Sequence, residues 1–147
     1  MASGTLKVSW LSAQDRALID ADVAVMVDYT DVATYTSAAA VAALSVLAGT
    51  RVECKGYRMP VAFDRSGTGA LAVTVGDGGS ATALMASSVI AVDGTEIYYH
   101  VGGSAKVYLA DDTVDLFFTD AGGMTYTSGK IIFYFKVSDM NKWANVV

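Results

Sequence analysis

Apolar residues recur at every second position in several stretches of the chain. Val23, Val25, Val27 and Tyr29 share one side of such a run, with Ala24, Met26 and Asp28 on the other. Leu71, Val73 and Val75 repeat the pattern. Val107 and Leu109, then Val114, Leu116 and Phe118, predict two short strands around the turn Ala110-Asp111-Asp112. The longest run comes last, where Ile131, Phe133, Phe135 and Val137 alternate with Ile132, Tyr134, Lys136 and Ser138. Alternation of this kind sets one face of each strand in a core and leaves the other half wet. Richness in Val and Tyr supports strands throughout.

Glycine-centred turns separate the runs at Gly49-Thr50, Ser66-Gly67-Thr68-Gly69, Gly76 to Gly79, Asp93-Gly94, Gly102-Gly103, Gly122-Gly123 and Ser128-Gly129. One break in roughly every ten to twenty residues favours a sandwich or small barrel over a parallel α/β sheet. Two tracts lack the alternation. Ser37 to Ala48 is alanine-rich and predicts a helix with Val41, Leu44 and Ala48 on one face and Gly49 at its C′ position. Ala81 to Ser88 predicts two short helical turns, and Asp15 to Asp20 fits either state. The expected fold is mainly β, an antiparallel, jelly-roll-like β-sandwich with one or two short helices. No repeat or linker divides residues 1–147, so they are read as a single domain. Met1 to Trp10 and Asn141 to Val147 are read as loose terminal segments.

Composition narrows the function. The 147 residues are 53% hydrophobic and 17% charged, enough to bury a core without disulfides. The net charge of −5, with its ten basic residues scattered, argues against nucleic acid as a partner. Cys54 is the one cysteine, so no intramolecular disulfide forms, which fits folding in a reducing cytoplasm. The start MASGTLKVSW lacks the basic-then-apolar order of a signal peptide. The apolar tract Ala38 to Ala48 falls short of the ~20 residues that span a bilayer, so no membrane partner is expected.

The stretch LAVTVGDGGSA (71–81) carries the most specific chemical suggestion. Gly76, Gly78 and Ala81 spell Gly-x-Gly-x-x-Ala after a strand, the form of a dinucleotide-binding turn. Against this, fewer than ten residues separate Gly79 from Ser88, and no βα alternation follows Asp93. A turn leaving one sheet for the other, with Asp77 bonded to its backbone, accounts for the same residues. Asp111, Asp112 and Asp115 match no calcium-loop spacing. His100 is the one histidine and lies in a stretch read as a strand, with no nucleophile elbow nearby. Neither cofactor nor metal is expected. The aromatics carry more. Tyr98, Tyr108, Tyr126 and Tyr134 fall on alternate strand positions and, with Trp10 and Trp143, are candidates for subunit contacts, where an aromatic body with a polar tip is favoured.

A sequence of weak motifs adds to this. Leu47-Ala48-Gly49-Thr50-Arg51-Val52 leads into a strand, and Val61-Ala62-Phe63-Asp64 follows. Leu71 to Gly78 comes next, then Ala83-Leu84-Met85-Ala86, then Asp93-Gly94. Lys106-Val107-Tyr108-Leu109-Ala110-Asp111-Asp112-Thr113-Val114 forms a hairpin, and Thr127-Ser128-Gly129-Lys130 opens the final strand. In this order the chain from Leu47 onward, about two thirds of it, resembles tailed-bacteriophage virion proteins. The alanine-rich Ser37 to Ala48 departs from their pattern. The resemblance implies a β-sandwich used as capsid decoration (cement), without catalytic residues. It would be made in the host cytoplasm and placed on the virion's capsid surface. The implied partners are the major capsid protein and further copies of the chain, as a trimer or dimer. A tail or fibre adhesion module is the alternative within the same group, and a small nucleotide-using enzyme a third reading.

Overall fold

In the computed structural model the described residues are 6–34, 38–66, 70–90, 98–99, 103–120 and 125–141. The chain runs β1 (Lys7–Trp10), α1 (Ala13–Ile19), β2 (Val23–Asp28), α2 (Tyr29–Thr34), β3 (Ala40–Val46), β4 (Thr50–Ser66), β5 (Leu71–Asp77) and β6 (Ser80–Ile90). It continues with β7 (Tyr98–Tyr99), β8 (Ala105–Val107), β9 (Asp112–Asp120) and β10 (Thr125–Asp139). One antiparallel sheet has the order β1-β2-β10-β4-β7, with β8 also paired to β4; the other is β3-β9-β5-β6. They form the expected mainly-β sandwich with two short helices.

The alternating positions supply its core. Val23, Val25 and Val27 of β2, and Ile131, Phe133 and Phe135 of β10, are fully buried. Leu71, Val73 and Val75 of β5 and Val114, Leu116 and Phe118 of β9 face them from the second sheet, in one hydrophobic cluster. Phe133 joins the layers: its ring lies 5.6 Å from Tyr57 and 6.3 Å, edge-on, from Phe118. Each such pair adds roughly 0.5–1.5 kcal/mol to the burial itself.

Four expectations change. Ala40–Val46 is a strand, because β9 pairs along it and a register shift between Ala42 and Leu44 lets Ala43 and Leu44 both face inward. Alanine-rich composition favours a helix only where no sheet edge competes for the backbone. Ala81 to Ser88 lies within β6, zipped to β5. Lys7–Trp10, expected to be loose, pairs with β2 from Lys7↔Met26 to Trp10↔Val23. Ser128-Gly129 is not a break but an irregularity inside β10, where the register to β4 shifts. Gly67 to Gly69, Asp93-Gly94, Gly122-Gly123 and residues 142–147 lie outside the described residues.

The helices are held by their ends. In α1, the ambiguous segment, Ser12 Oγ accepts the Asp15 amide and Asp20 closes the C-terminus in the left-handed region. No α1 residue is buried. Asp20 ties this connection down by reaching Lys136 at 2.6 Å and Lys55 at 3.1 Å. In α2, Asp28 Oδ1 accepts the Thr30 amide while Asp31 Oδ2 accepts that of Asp28, a reciprocal cap.

Gly129 has φ +143, and a Cβ there would lie 2.4 Å from the buried Phe63 ring. Crowding of that kind costs about 1–3 kcal/mol, and the backbone region adds strain. Gly129→Ala is therefore expected to lower the unfolding free energy by at least this amount, read as a lower urea midpoint at an unchanged m-value; an unchanged midpoint would refute the account.

Candidate interaction surface

Four connections meet at one end of the sandwich: the turn after β3, the β5–β6 turn, the β8–β9 loop and the residues ending β10. The pairings Val46↔Asp112, Asp77↔Ser80, Gly76↔Asp115, Arg51↔Val107 and Thr50↔Asp139 bring them together. Backbone hydrogen bonds stitch them: Gly49 N to Tyr108 O at 2.7 Å, Tyr108 N to Thr50 O at 2.9 Å and Met140 N to Gly49 O at 2.8 Å. Side chains complete the clasp, with the Ala48 amide donating to Asp111 Oδ1 and Asn141 Nδ2 to Ala48 O.

Beneath this end lies a polar cluster. LAVTVGDGGSA folds as β5, a two-residue Gly78-Gly79 turn and the start of β6. The turn joins neighbours in one sheet and does not cross to the other, which corrects part of the expectation. The expected Asp77 bond is present twice, since Oδ1 accepts the amides of Gly79 at 2.9 Å and Ser80 at 3.0 Å. Gly76 is required by close approach, because a Cβ there would meet the Ser80 carbonyl at 2.0 Å. Asp77 Oδ2 receives Lys106 Nζ at 2.6 Å. Burial opposes ionisation of Asp77, yet Lys106 and the two amides outweigh it and hold the carboxyl below its ordinary range. Asp115, also buried, is pushed upward by burial and by the charges of Asp112 and Asp77, against the hydrogen bond from Thr113 Oγ1. Tyr108 is buried with no hydrogen-bond partner for its hydroxyl, and Lys106 Nζ sits 5.0 Å from its ring centroid. Burial, then Asp77, raises the phenol's pKa.

The candidate contact aromatics whose side chains are described, Trp10, Tyr108, Tyr126 and Tyr134, do not gather in one place. Trp10 is 66% exposed at the end of edge strand β1. Tyr134 is half-buried, opposite Ala24 on one side and Gly56 on the other. Tyr108 and Tyr126 are core residues, Tyr126 stacking edge-on with Phe63 and donating its hydroxyl to Asp120. Their surface is used inside the chain. Tyr98 pairs with Arg58 through β7, but its side chain, like Trp143 and His100, lies outside what is described. Exposed apolar residues are scattered over the described surface, Leu18 on α1 and Val89 on β6 among them, but two leucines, Leu47 at 69% and Leu109 at 91% exposure, lie together in the stitched loops. Their signal is position, a large apolar residue beside Ala-Gly or Ala-Asp-Asp with no alternating partner beyond it.

The other candidate chemistries gain nothing from the geometry. Cys54 is buried, and burial pushes its thiol up to about 11, so it is protonated and unsuited to attack. Among the described residues no three of His, Cys, Asp and Glu are grouped to hold a metal ion. No described helix is long and apolar enough to cross a membrane.

Among solved structures, the chain is similar to one described as "Cyanophage Pam1 capsid asymmetric unit". The match covers 92% of this chain and 84% of that one at 21% identity, with a TM-score of 0.50. At that identity the likeness is one of fold. No family model and no curated protein matches the sequence.

The two buried carboxylates make opposite contributions to the pH profile. Asp77, with its folded pKa depressed, stabilises above the unfolded value near 4 and loses that contribution as pH falls through the folded pKa. Asp115, with its folded pKa raised, carries a cost that appears as pH rises above about 4 through the folded value. Asp77→Asn is expected to cost about 1–2 kcal/mol at pH 7, since the Lys106 side chain is 40% exposed and solvent screens the pair. Asp115→Asn keeps an acceptor for Thr113 and is expected to raise the unfolding midpoint at pH 7, the gain vanishing at acid pH. Thermal melts of both variants across pH check this, and a destabilised Asp115→Asn at pH 7 would contradict it.

Proposed function

We propose that this chain is a structural component of a phage capsid, a decoration (cement) protein that binds the outer shell and clamps neighbouring major-capsid subunits. The observation that carries the reading is the fold likeness, across 92% of the chain, to a chain of the cyanophage Pam1 capsid asymmetric unit. The order of motifs from Leu47 onward supports it independently. So does the character of the site: rigid loops presenting apolar side chains, over carboxylates committed to internal hydrogen bonds. Such a surface suits docking better than chemistry.

A protein that binds only the assembled shell stabilises it by mass action, by about 2.7 kcal/mol per site when present at a hundred times its Kd. Strand β1 offers a second means of attachment. Among the described residues it pairs on one side alone, and its free edge, with Val8 and Trp10 exposed, can accept a strand from a neighbouring subunit. That subunit is a capsid protein or another copy in a dimer or trimer.

The test mixes purified protein with expanded heads lacking it. Saturable binding and greater resistance of the heads to heat are expected. Absence of both, or antibody labelling of intact virions at the tail tip instead of across the head, would overturn the reading in favour of an adhesion module.

A further inference from the structure

We infer that the end of the sandwich bearing Leu47 and Leu109 is the docking tip, and that it seats in an apolar pocket of a shell subunit rimmed by Lys or Arg side chains. The inference rests on the proposed capsid role and names the surface that would carry it out.

Single exposed leucines are ordinary. These two, at 69% and 91% exposure, sit on loops bonded to each other, with Val107 at 39% on the strand leading in. The loops are already ordered. Thr50 N donates to Leu47 O at 3.1 Å and Ala48 N to Asp111 Oδ1 at 2.9 Å, in addition to the clasp through Tyr108 and Asn141. Gly49, at φ +86, brings the turn so near Asn141 that a Cβ would overlap its amide. Tyr108 anchors the second loop in the core immediately before Leu109. Segments fixed in this way lose little further freedom on binding, so burial of the leucines converts more fully into affinity.

Charge names the partner. Asp111, Asp112 and Asp139 are exposed around the tip, and each directs one carboxylate oxygen to a backbone amide, of Ala48, Thr113 and Asn141 respectively. Among the described residues no side chain pairs with the second oxygen of any of the three, which can receive a cation from outside. Among the described residues, the cations near the tip are engaged within the chain, Lys106 with Asp77 and Arg51 with Glu53. A second copy docking tip to tip would set these acidic rims against each other, whereas a basic-rimmed pocket complements them.

The experiment measures binding of the full chain to expanded heads lacking it, by co-sedimentation at several salt concentrations. Leu47→Ser/Leu109→Ser is expected to weaken binding about tenfold or more with an unchanged melting temperature, both side chains being exposed. Asp112→Asn/Asp139→Asn, which keeps the acceptor oxygens, is expected to weaken binding about threefold at low salt and to flatten its salt dependence. Val89→Ser, 61% exposed on β6, is the control and should bind as the parent does. If the parent binds and the double-leucine variant binds equally, the tip is refuted while the capsid role stands. If the parent itself does not bind, both fall. Self-association in the ultracentrifuge that the leucine changes abolish, with head binding intact, would assign the tip to a second copy and overturn the inference.

Discussion

The pairing of β10 with β4 is the constraint on which the rest of the structure depends. It runs from Thr125↔Ser66 to Asp139↔Thr50, nearly the whole length of both strands. A ladder this long accumulates twist, and the register irregularities along it bend the strands and sharpen the twist locally. At Gly56, φ +121, the extra residue Lys55 changes the phase of β4, so that Cys54 and Tyr57 both turn into the core. At Gly129 the missing side chain admits the Phe63 ring. The seated rings then define the inner layer, and Phe133 passes it on to Phe118 in the opposite sheet.

The same ladder decides which loops meet. Because β10 ends opposite the start of β4, Met140 and Asn141 arrive beside Gly49, and β8, paired to β4 at Arg51, brings Tyr108 to the same place. Tip rigidity is thus a consequence of sheet register and not of the loop sequences alone. The pairing of buried Asp77 with half-exposed Lys106 follows from it, since β8 holds Lys106 within reach of the β5–β6 turn. With Lys106 reached by solvent the pair contributes modest net stability, but it fixes geometry, because the buried Asp77 carboxylate would otherwise lose a charged partner.

Where alternation was strict, sequence and structure agree: Val23 to Asp28, Leu71 to Val75, Val114 to Phe118 and Ile131 to Phe135 are strands with the expected faces inward. Pattern failed where pairing and not composition selects the conformation. Ala40–Val46 lost its alternation to a register shift, and Gly129 looked like an ending because a long strand needed a bulge there. Two of the candidate aromatics are buried for a related reason. Tyr108 and Tyr126 occupy positions that alternation leaves open, yet three-dimensional packing closes over both. Leu109 was read as the inward end of a strand, but β8 stops at Val107 and the loop carries it outward. Exposure of a side chain is a property of neighbours distant in sequence, which a local pattern does not contain.

The glycine-rich stretch shows how far such a difference reaches. A phosphate cradle and this tight hairpin both use glycine and both aim backbone amides at an anion. In this chain the anion is already covalently present, because Asp77 Oδ1 takes the amides of Gly79 and Ser80, and Lys106 neutralises the other oxygen. A dinucleotide would have to displace a buried carboxylate from its own turn, and β6 follows where the motif requires a helix. The turn is therefore occupied by the protein itself, and its donors are directed inward to fix the end of the sandwich. What remains accessible there, among the described residues, is not a set of polar groups awaiting a ligand but the leucines and carboxylates outside them, the groups on which the proposed docking tip rests.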